Sequence, residues 1–496
     1  MCKRVIDRVS SFIISEKMMY IAGITICLCN SIFLFDNAIW GDEGFSLVLI
    51  RHSLGEILSG TASDVHPPLY YFILKLFIAI LGESVFVGHL TSYAAFLATC
   101  ILITTFIYKH FGLISAYLGL FFVGWTQYGM VYNVEIRMYS MALLFVTLTF
   151  CMGYKVLCYN EFKDWLFMGI SALLAGYTHY FALITVAFII LGVFGIAVIG
   201  RQKDVCKNIL ITSVLCIAGY LPWLFAMFTT VKRTMGGFWL TGVPTVKECL
   251  QMFMGQMNYS YVLLGLLLIL MCVYIYGNIV HVSQGKLSLK EKVESFFAYD
   301  SKVNMAMLGL WSFMGTTIVG IFVSNMIQPV LLIRYLYPMV VLGAISLGVL
   351  LHHYIRKEKV GRIVLGIACV ILVWIAYSGT VVFEERLQAC TERKNETDLS
   401  LAVIDEYVER GFVIVTNIDY LDWTVLEYYY PDNYVSKEEK HDKVIMLWDS
   451  ELNENEINKL MGDKIKVVYQ DNGQIDSEVF YMYCIERDSK TVNELF

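Results

Sequence analysis

Charge is what this chain has least of. Of its 496 residues only 16% are Asp, Glu, Lys or Arg, where a soluble globular chain carries about a quarter. No basic face or basic helix gathers, which excludes nucleic acid as a partner. There is no CxxC pair to suggest zinc. The cysteines fall mostly inside apolar runs, as at Cys27, Cys29, Cys100, Cys216 and Cys272, where a thiol behaves as a small hydrophobe. The first apolar stretch is long and no small-residue cleavage site follows it, so a cleavable signal peptide is not expected. No internal repeat or low-complexity tract stands out.

What is abundant is apolar surface. The chain is 57% hydrophobic and 15% aromatic, with a mean hydropathy of +0.62. The expected class is a polytopic α-helical membrane protein, since about 20 mostly apolar residues cross a bilayer as one helix. Spans are expected at Met18–Phe35, Phe86–Tyr108, Leu113–Val131, Tyr139–Leu157, Trp165–Tyr177, Phe181–Ile199, Ile209–Phe228, Tyr261–Ile279, Met305–Ser324, Leu331–Leu351 and Ile363–Phe383. That makes about 11 spans by the length criterion. The run Pro68–Leu81 is too short to span and follows paired prolines, so it reads as a helix on the outer surface.

Charge bias supports this topology. If Pro68–Leu81 does not span, one side collects Lys3, Arg4, Arg8, Lys17, Lys109, Lys155, Lys163 and the basic loops at 201–207, 286–302 and 356–362. The other side keeps Arg51, Lys75, Arg137, Lys232, Arg233 and Lys247. Lys and Arg concentrate in cytoplasmic loops, so the chain reads as a multi-pass cell-membrane protein with a cytoplasmic N-terminus. Arg51 and Lys75 read as interfacial anchors, and Trp223 as an aromatic-belt residue. After Phe383 the composition turns charged and alternates short β-type runs (Phe412–Thr416, Lys443–Trp448, Lys464–Tyr469, Val479–Ile485) with helix-like stretches. Two domains follow: a membrane domain over 1–383 and a small extracytoplasmic α/β domain over 384–496. In an oxidising compartment Cys390 and Cys484 are a possible disulfide pair.

Ionisable residues near or within spans are costly and usually mark function. On the outer side stand Asp42 and Glu43 in Trp40-Gly41-Asp42-Glu43-Gly44, then Asp64 and His66 before Pro67-Pro68-Leu69-Tyr70-Tyr71. Further along come Glu135, Arg137 and Tyr139, then His179 and Tyr180, then Arg334 and Tyr335. Each has a plain alternative: a wet loop for Asp42 and Glu43, a turn for His66, mutual pairing for Glu135 and Arg137, an aromatic belt for His179, snorkelling for Arg334. Their gathering on one side favours a site. Carboxylates with several cations suit a substrate with an anionic head and a lipid tail. A departing phosphate needs positive charge or a metal, and an acceptor hydroxyl needs a base such as aspartate.

At these residues the chain resembles the GT-C superfamily of integral-membrane glycosyltransferases, in the branch of protein O-mannosyltransferases and aminoarabinose lipid A transferases. The carriers are Gly41-Asp42-Glu43, His66-Pro67-Pro68-Leu69-Tyr70-Tyr71, Glu135-Ile136-Arg137-Met138-Tyr139, Thr178-His179-Tyr180-Phe181 and Arg334-Tyr335 followed by Pro338. The resemblance implies inverting transfer of a monosaccharide from a polyprenyl-phosphate donor to an acceptor on the outer face, whether protein, lipid or glycan. It implies Asp42 as general base with Glu43 as its partner, His66 against the donor phosphate or a metal, Glu135, Arg137, Tyr139, His179 and Tyr180 lining the same cavity, and Arg334 with Tyr335 near the lipid phosphate. Some relatives carry Lys where His66 and His179 stand. An imidazole grips phosphate less firmly than an ammonium, so a divalent metal ion held by Asp42, His66 and His179 is a second expectation. No organic cofactor is expected. The rival reading is a transporter or flippase of a lipid-linked anionic sugar. Such proteins tend to show internal repeats and broken helices at the bilayer midplane, whereas here the polar residues cluster at one interface and no repeat is evident.

Overall fold

A computed structural model describes residues 15–234, 301–327, 329–355, 361–418, 421–435, 441–461, 465–476 and 478–487, with isolated positions between 245 and 269. The expected span Tyr261–Ile279 lies outside the described residues apart from Ile269. Two compact units are present. The first comprises Met1–Ile32, Leu54–Ile73 and Leu90–Glu384, and the second Phe33–Ser53, Leu74–His89 and Glu385–Phe496.

The first unit is helical. Helix α1, Glu16–Ser31, starts at Ser15, whose hydroxyl accepts the Met18 N–H at 3.3 Å; this cap satisfies one of the amides a helix start leaves unpaired. Among the described residues, eight helices are long and apolar enough to cross a membrane, and the chain is a polytopic helical membrane protein. The helix Leu69–Leu81 has thirteen residues. At about 1.5 Å per residue it reaches about 20 Å, short of the hydrocarbon thickness of about 30 Å.

The expected span Leu113–Val131 is broken. Helix Leu113–Gly124 stops at Trp125, and a new turn, Gln127–Tyr132, begins under Thr126, whose hydroxyl accepts the Gly129 N–H at 3.2 Å. The apolar run hides this break, because a threonine cap inside it leaves the hydropathy nearly unchanged. Helix Val340–Ile355 packs against Leu113–Gly124, and a Cβ on Gly348 would stand 2.4 Å from the Ser115 Cα. Only glycine lets the two backbones approach that closely. Ahead of it, Ile333–Met339 forms a 3-10 turn holding Pro338.

The last expected span, Ile363–Phe383, runs on as one helix from Gly361 to Glu409, so the shift to charged composition after Phe383 does not interrupt it. The helix ends where Gly411 takes a φ of +83° and the Phe412 N–H bonds back to the Tyr407 carbonyl, a left-handed glycine stop.

In the second unit a four-stranded sheet has the order β1 (Val413–Thr416), β2 (Lys443–Trp448), β4 (Glu478–Arg487), β3 (Ile465–Ile475). β1 and β2 are parallel, with Val413 opposite Val444; the other pairs are antiparallel, with Ile445 opposite Cys484. All four β-type runs of the sequence are strands. Val444, Met446, Tyr483 and Ile485 bury one face of the sheet under Ile457 of the helix Glu454–Met461.

Cys390 and Cys484 are both free thiols, which overturns the expected pairing. Cys390 lies on the long helix beside Arg393, whose Nη2 is 3.7 Å from its sulfur. Cys484 is fully buried in a central strand, facing Ile445 and Tyr469.

Candidate functional site

Most of the expected site residues lie in the first unit, where four chain segments bring them together. His66 precedes the Pro-Pro start of helix Leu69–Leu81, Arg137 lies in the turn before helix Tyr139–Cys158, His179 caps helix Tyr180–Ile199, and Tyr335 sits in the 3-10 turn. The His179 ring is 4.9 Å from the Tyr335 ring and 5.8 Å from those of His66 and Tyr139. His66, Arg137, His179 and Tyr335 are all buried. Buried ionisable groups demand partners, and these have them. Arg137 donates from Nη1 to the Tyr71 hydroxyl at 3.1 Å and places Nη2 3.2 Å from His66 Nδ1. Asp64 Oδ2 lies 3.2 Å from the same nitrogen. Nδ1 can serve only one of them at a time: protonated it donates to Asp64, unprotonated it accepts from Arg137.

The electrostatics follow from this geometry. Burial alone would raise the Asp64 carboxyl, but the His66 hydrogen bond and the charges of His66 and Arg137 outweigh it and hold the group below its ordinary value. Burial first, then the charges of His66, Arg137 and Arg334, press His179 well below the usual imidazole range. The ring is therefore neutral. Its Nδ1 accepts the Phe181 N–H at 3.1 Å, which leaves the ring proton on Nε2 as a donor. Arg334 stands over the Tyr335 ring at 5.8 Å, and Arg137, Arg334 and Glu135 all act on the Tyr139 hydroxyl. Glu135 is buried, and the Tyr180 hydroxyl is close enough to Asp64 to feel its charge.

A buried amide network holds this arrangement. Asn133 donates to the Asn30 side chain at 3.2 Å and to the Val123 carbonyl at 3.0 Å, while the Tyr337 hydroxyl donates to Asn133 at 2.5 Å. Asn30 in turn donates to Gly124 O at 2.8 Å. The turn carrying Arg137 and the turn carrying Tyr335 are thereby tied to the same two helix ends. Trp223, read as a belt residue, is buried instead.

Asp42 and Glu43 belong to the second unit, on helix Gly41–Leu49. Asp42 is half-buried and Glu43 buried. Glu43 turns back to the Trp40 N–H at 3.4 Å and meets His89 Nε2 at 3.2 Å, so its carboxylate closes the helix start. His89 escaped the sequence reading, although an imidazole near the start of an apolar helix was a visible signal. Arg51 and Lys75 are also more than interfacial anchors. Arg51 donates to the carbonyls of Glu427 and Tyr428 and pairs with Glu83, and Lys75 donates to the carbonyls of Ile50 and His52.

A divalent ion fits poorly. Among the described residues no three His, Cys, Asp or Glu side chains gather as a metal-holding group. The Arg137 guanidinium stands beside His66, and His179 has its free acceptor nitrogen taken by the Phe181 N–H. A dication there would meet a fixed positive charge and a ring with no lone pair to offer.

Residues 65–225 match the family model described as dolichyl-phosphate-mannose-protein mannosyltransferase. That segment carries His66, Glu135, Arg137, Tyr139, His179 and Tyr180. No curated protein matches the chain by sequence. Among solved structures, ArnT from Cupriavidus metallidurans in the apo state is similar with a TM-score of 0.59 at 10% identity, covering 95% of this chain and 98% of that one. The same protein bound to undecaprenyl phosphate is similar with a TM-score of 0.58 at 10% identity over the same shares. At that identity the likeness speaks to the fold. In family-model match and in fold, the resemblance of this chain to the GT-C superfamily of integral-membrane glycosyltransferases holds.

Proposed function

We propose that the chain is a glycosyltransferase that moves a monosaccharide from a polyprenyl-phosphate donor to an acceptor hydroxyl on the outer face of the cell membrane, with its N-terminus cytoplasmic. The observation that carries this reading is the positive surrounding of His179: the charges acting on it come from Arg137, Arg334 and, when protonated, His66. A preorganised group of cations, Arg137 buried and Arg334 half-buried, suits an anion that gains charge as it leaves.

In the proposed step Asp42 takes the proton of the acceptor hydroxyl. The acceptor oxygen attacks the anomeric carbon, and the bond from that carbon to the phosphate oxygen breaks. Its electron pair leaves on the polyprenyl phosphate, with inversion at the carbon. Arg137 and Arg334 offset the charge growing on the phosphate, and His179 donates from Nε2. His66, held between Asp64 and Arg137, orients the guanidinium. Glu135, Tyr139, Tyr180 and Tyr335 line the donor side, and Glu43 keeps the start of the Asp42 helix closed. No step runs through a metal. The ArnT structure bound to undecaprenyl phosphate supports a polyprenyl carrier by analogy of fold.

Titrating undecaprenyl phosphate into the full-length protein in lipid nanodiscs tests the donor assignment. Arg137→Ala and Arg334→Ala should each weaken binding by about tenfold or more, as expected for loss of a charge-assisted contact to phosphate. Wild-type affinity in both variants would remove the cationic group from the donor site.

A further inference from the structure

We propose that the C-terminal domain is the seat of the Asp42 helix, with Arg393 as its principal positioning residue, so that transfer depends on a domain that need not touch substrate. The inference rests on the assignment of Asp42 made above.

The segment leading into the helix is fastened at four places, each time to a residue from the C-terminal part of the chain. The Arg386 guanidinium lies 4.4 Å over the Phe33 ring. Lys394 donates to the Phe35 carbonyl at 3.3 Å. Arg393 Nη2 meets Asp36 Oδ2 at 2.5 Å. The Tyr429 hydroxyl donates to the Asn37 carbonyl at 2.6 Å. Beyond the helix, Arg51 donates to the carbonyls of Glu427 at 3.1 Å and Tyr428 at 3.0 Å.

The helix itself lies against backbone. A Cβ on Gly44 would come within 3.0 Å of the Thr424 carbonyl carbon and the Val425 nitrogen. Glycine two residues after Asp42 therefore allows a contact that any side chain would push apart.

Arg393 links this segment to the sheet. Its Nη1 lies 2.9 Å from Asp476 Oδ1, so one guanidinium joins Asp36 to the turn after β3. Asp476 takes a φ of +53°, a conformation side-chain-bearing residues adopt uncommonly, and its N–H is fixed by the Thr397 hydroxyl at 2.9 Å. Asp476 is buried and Asp36 nearly so, at 5% and 10% side-chain exposure. A planar two-pronged cation spans two such acids in one geometry, whereas a flexible ammonium holds them loosely. A domain serving only as a separate acceptor platform would have no need to fasten the approach, the body and the exit of the Asp42 helix.

Hydrogen–deuterium exchange on the full-length protein in lipid nanodiscs tests this without requiring activity. Arg393→Met should raise exchange over residues 36–50 by about tenfold while the strands 443–448 and 478–487 stay protected, because local opening and global unfolding are separable. Arg393→Lys should restore part of that protection. Tyr429→Phe, a milder change, should loosen the same segment by a smaller factor. In a transfer assay Arg393→Met should lower kcat with the donor KM unchanged. Unchanged exchange over 36–50 in both Arg393→Met and Tyr429→Phe would overturn the proposal, as would equal loosening of helix and strands. Loosening without any transfer activity in the wild type would instead leave the seat standing and refute the assignment of Asp42.

Discussion

His179 is the residue where burial and charge act together most strongly. The unfolded chain takes up a proton on this side chain near pH 6.5, whereas the folded protein holds the ring neutral to much lower pH. The unfolded state then binds the extra proton first, and stability falls as pH drops below about 6.5. Asp64 acts in a lower window. Its folded value is depressed, so its contribution is present above the ordinary carboxylate range of about 4 and lost as pH falls through the depressed value. His179→Gln should therefore flatten the loss of Tm between about pH 6.5 and 4.5 while the steeper loss below pH 4 remains. Thermal unfolding in nanodiscs from pH 7.5 to 3.5 checks this, and an unchanged slope would mean that the imidazole is not held neutral. The pairing of His66 with Arg137 could not be read from the sequence, because it depends on where two distant turns meet. The residue types could be read, and Arg137, His179 and Tyr335 stand together as the motif order implied. Glu43 was legible as a carboxylate beside Asp42 but not as one committed to Trp40 and His89.

Turns and helix ends, more than the helices themselves, position the site. The Asn30–Asn133–Tyr337 network fixes the turn before helix Tyr139–Cys158 and the 3-10 turn Ile333–Met339. Tyr337→Phe removes a hydroxyl whose single proton is shared between the Asn133 side-chain oxygen and the Val123 carbonyl; the carbonyl keeps the Asn133 amide at 3.0 Å, and the buried Asn133 oxygen loses its Tyr337 donor. The expected cost is about 1–3 kcal/mol of stability, measurable as a lower Tm, and a change within error would show that the network is dispensable. Apolar periodicity gave no hint of this, since one tyrosine and two asparagines barely alter the hydropathy of their segments. The break at Trp125–Thr126 was hidden for the same reason. By contrast, helix Leu69–Leu81 was legible as a short helix, because its length and its Pro-Pro start are properties of the local sequence.

At the scale of the molecule, composition was enough to indicate a helical membrane protein with a small sheet near its C-terminal end, and the strand pattern there matches the four observed strands. What composition could not indicate is that residues 33–53 and 74–89 share a compact unit with the tail. Such long-range association leaves no periodic trace; it rests on single contacts such as Arg393 with Asp36 and Gly44 with Thr424. The proposed function is sugar transfer from a polyprenyl phosphate, with Asp42 as the proposed base. Mass spectrometry of surface glycans and lipids from cells lacking the protein, complemented with wild type or Asp42→Asn, tests that most directly. One sugar modification should vanish on deletion while its polyprenyl-phosphate donor accumulates. Wild type should restore the modification, and a normally inserted Asp42→Asn should not. A surface profile unchanged by deletion, or fully restored by Asp42→Asn, would contradict the account.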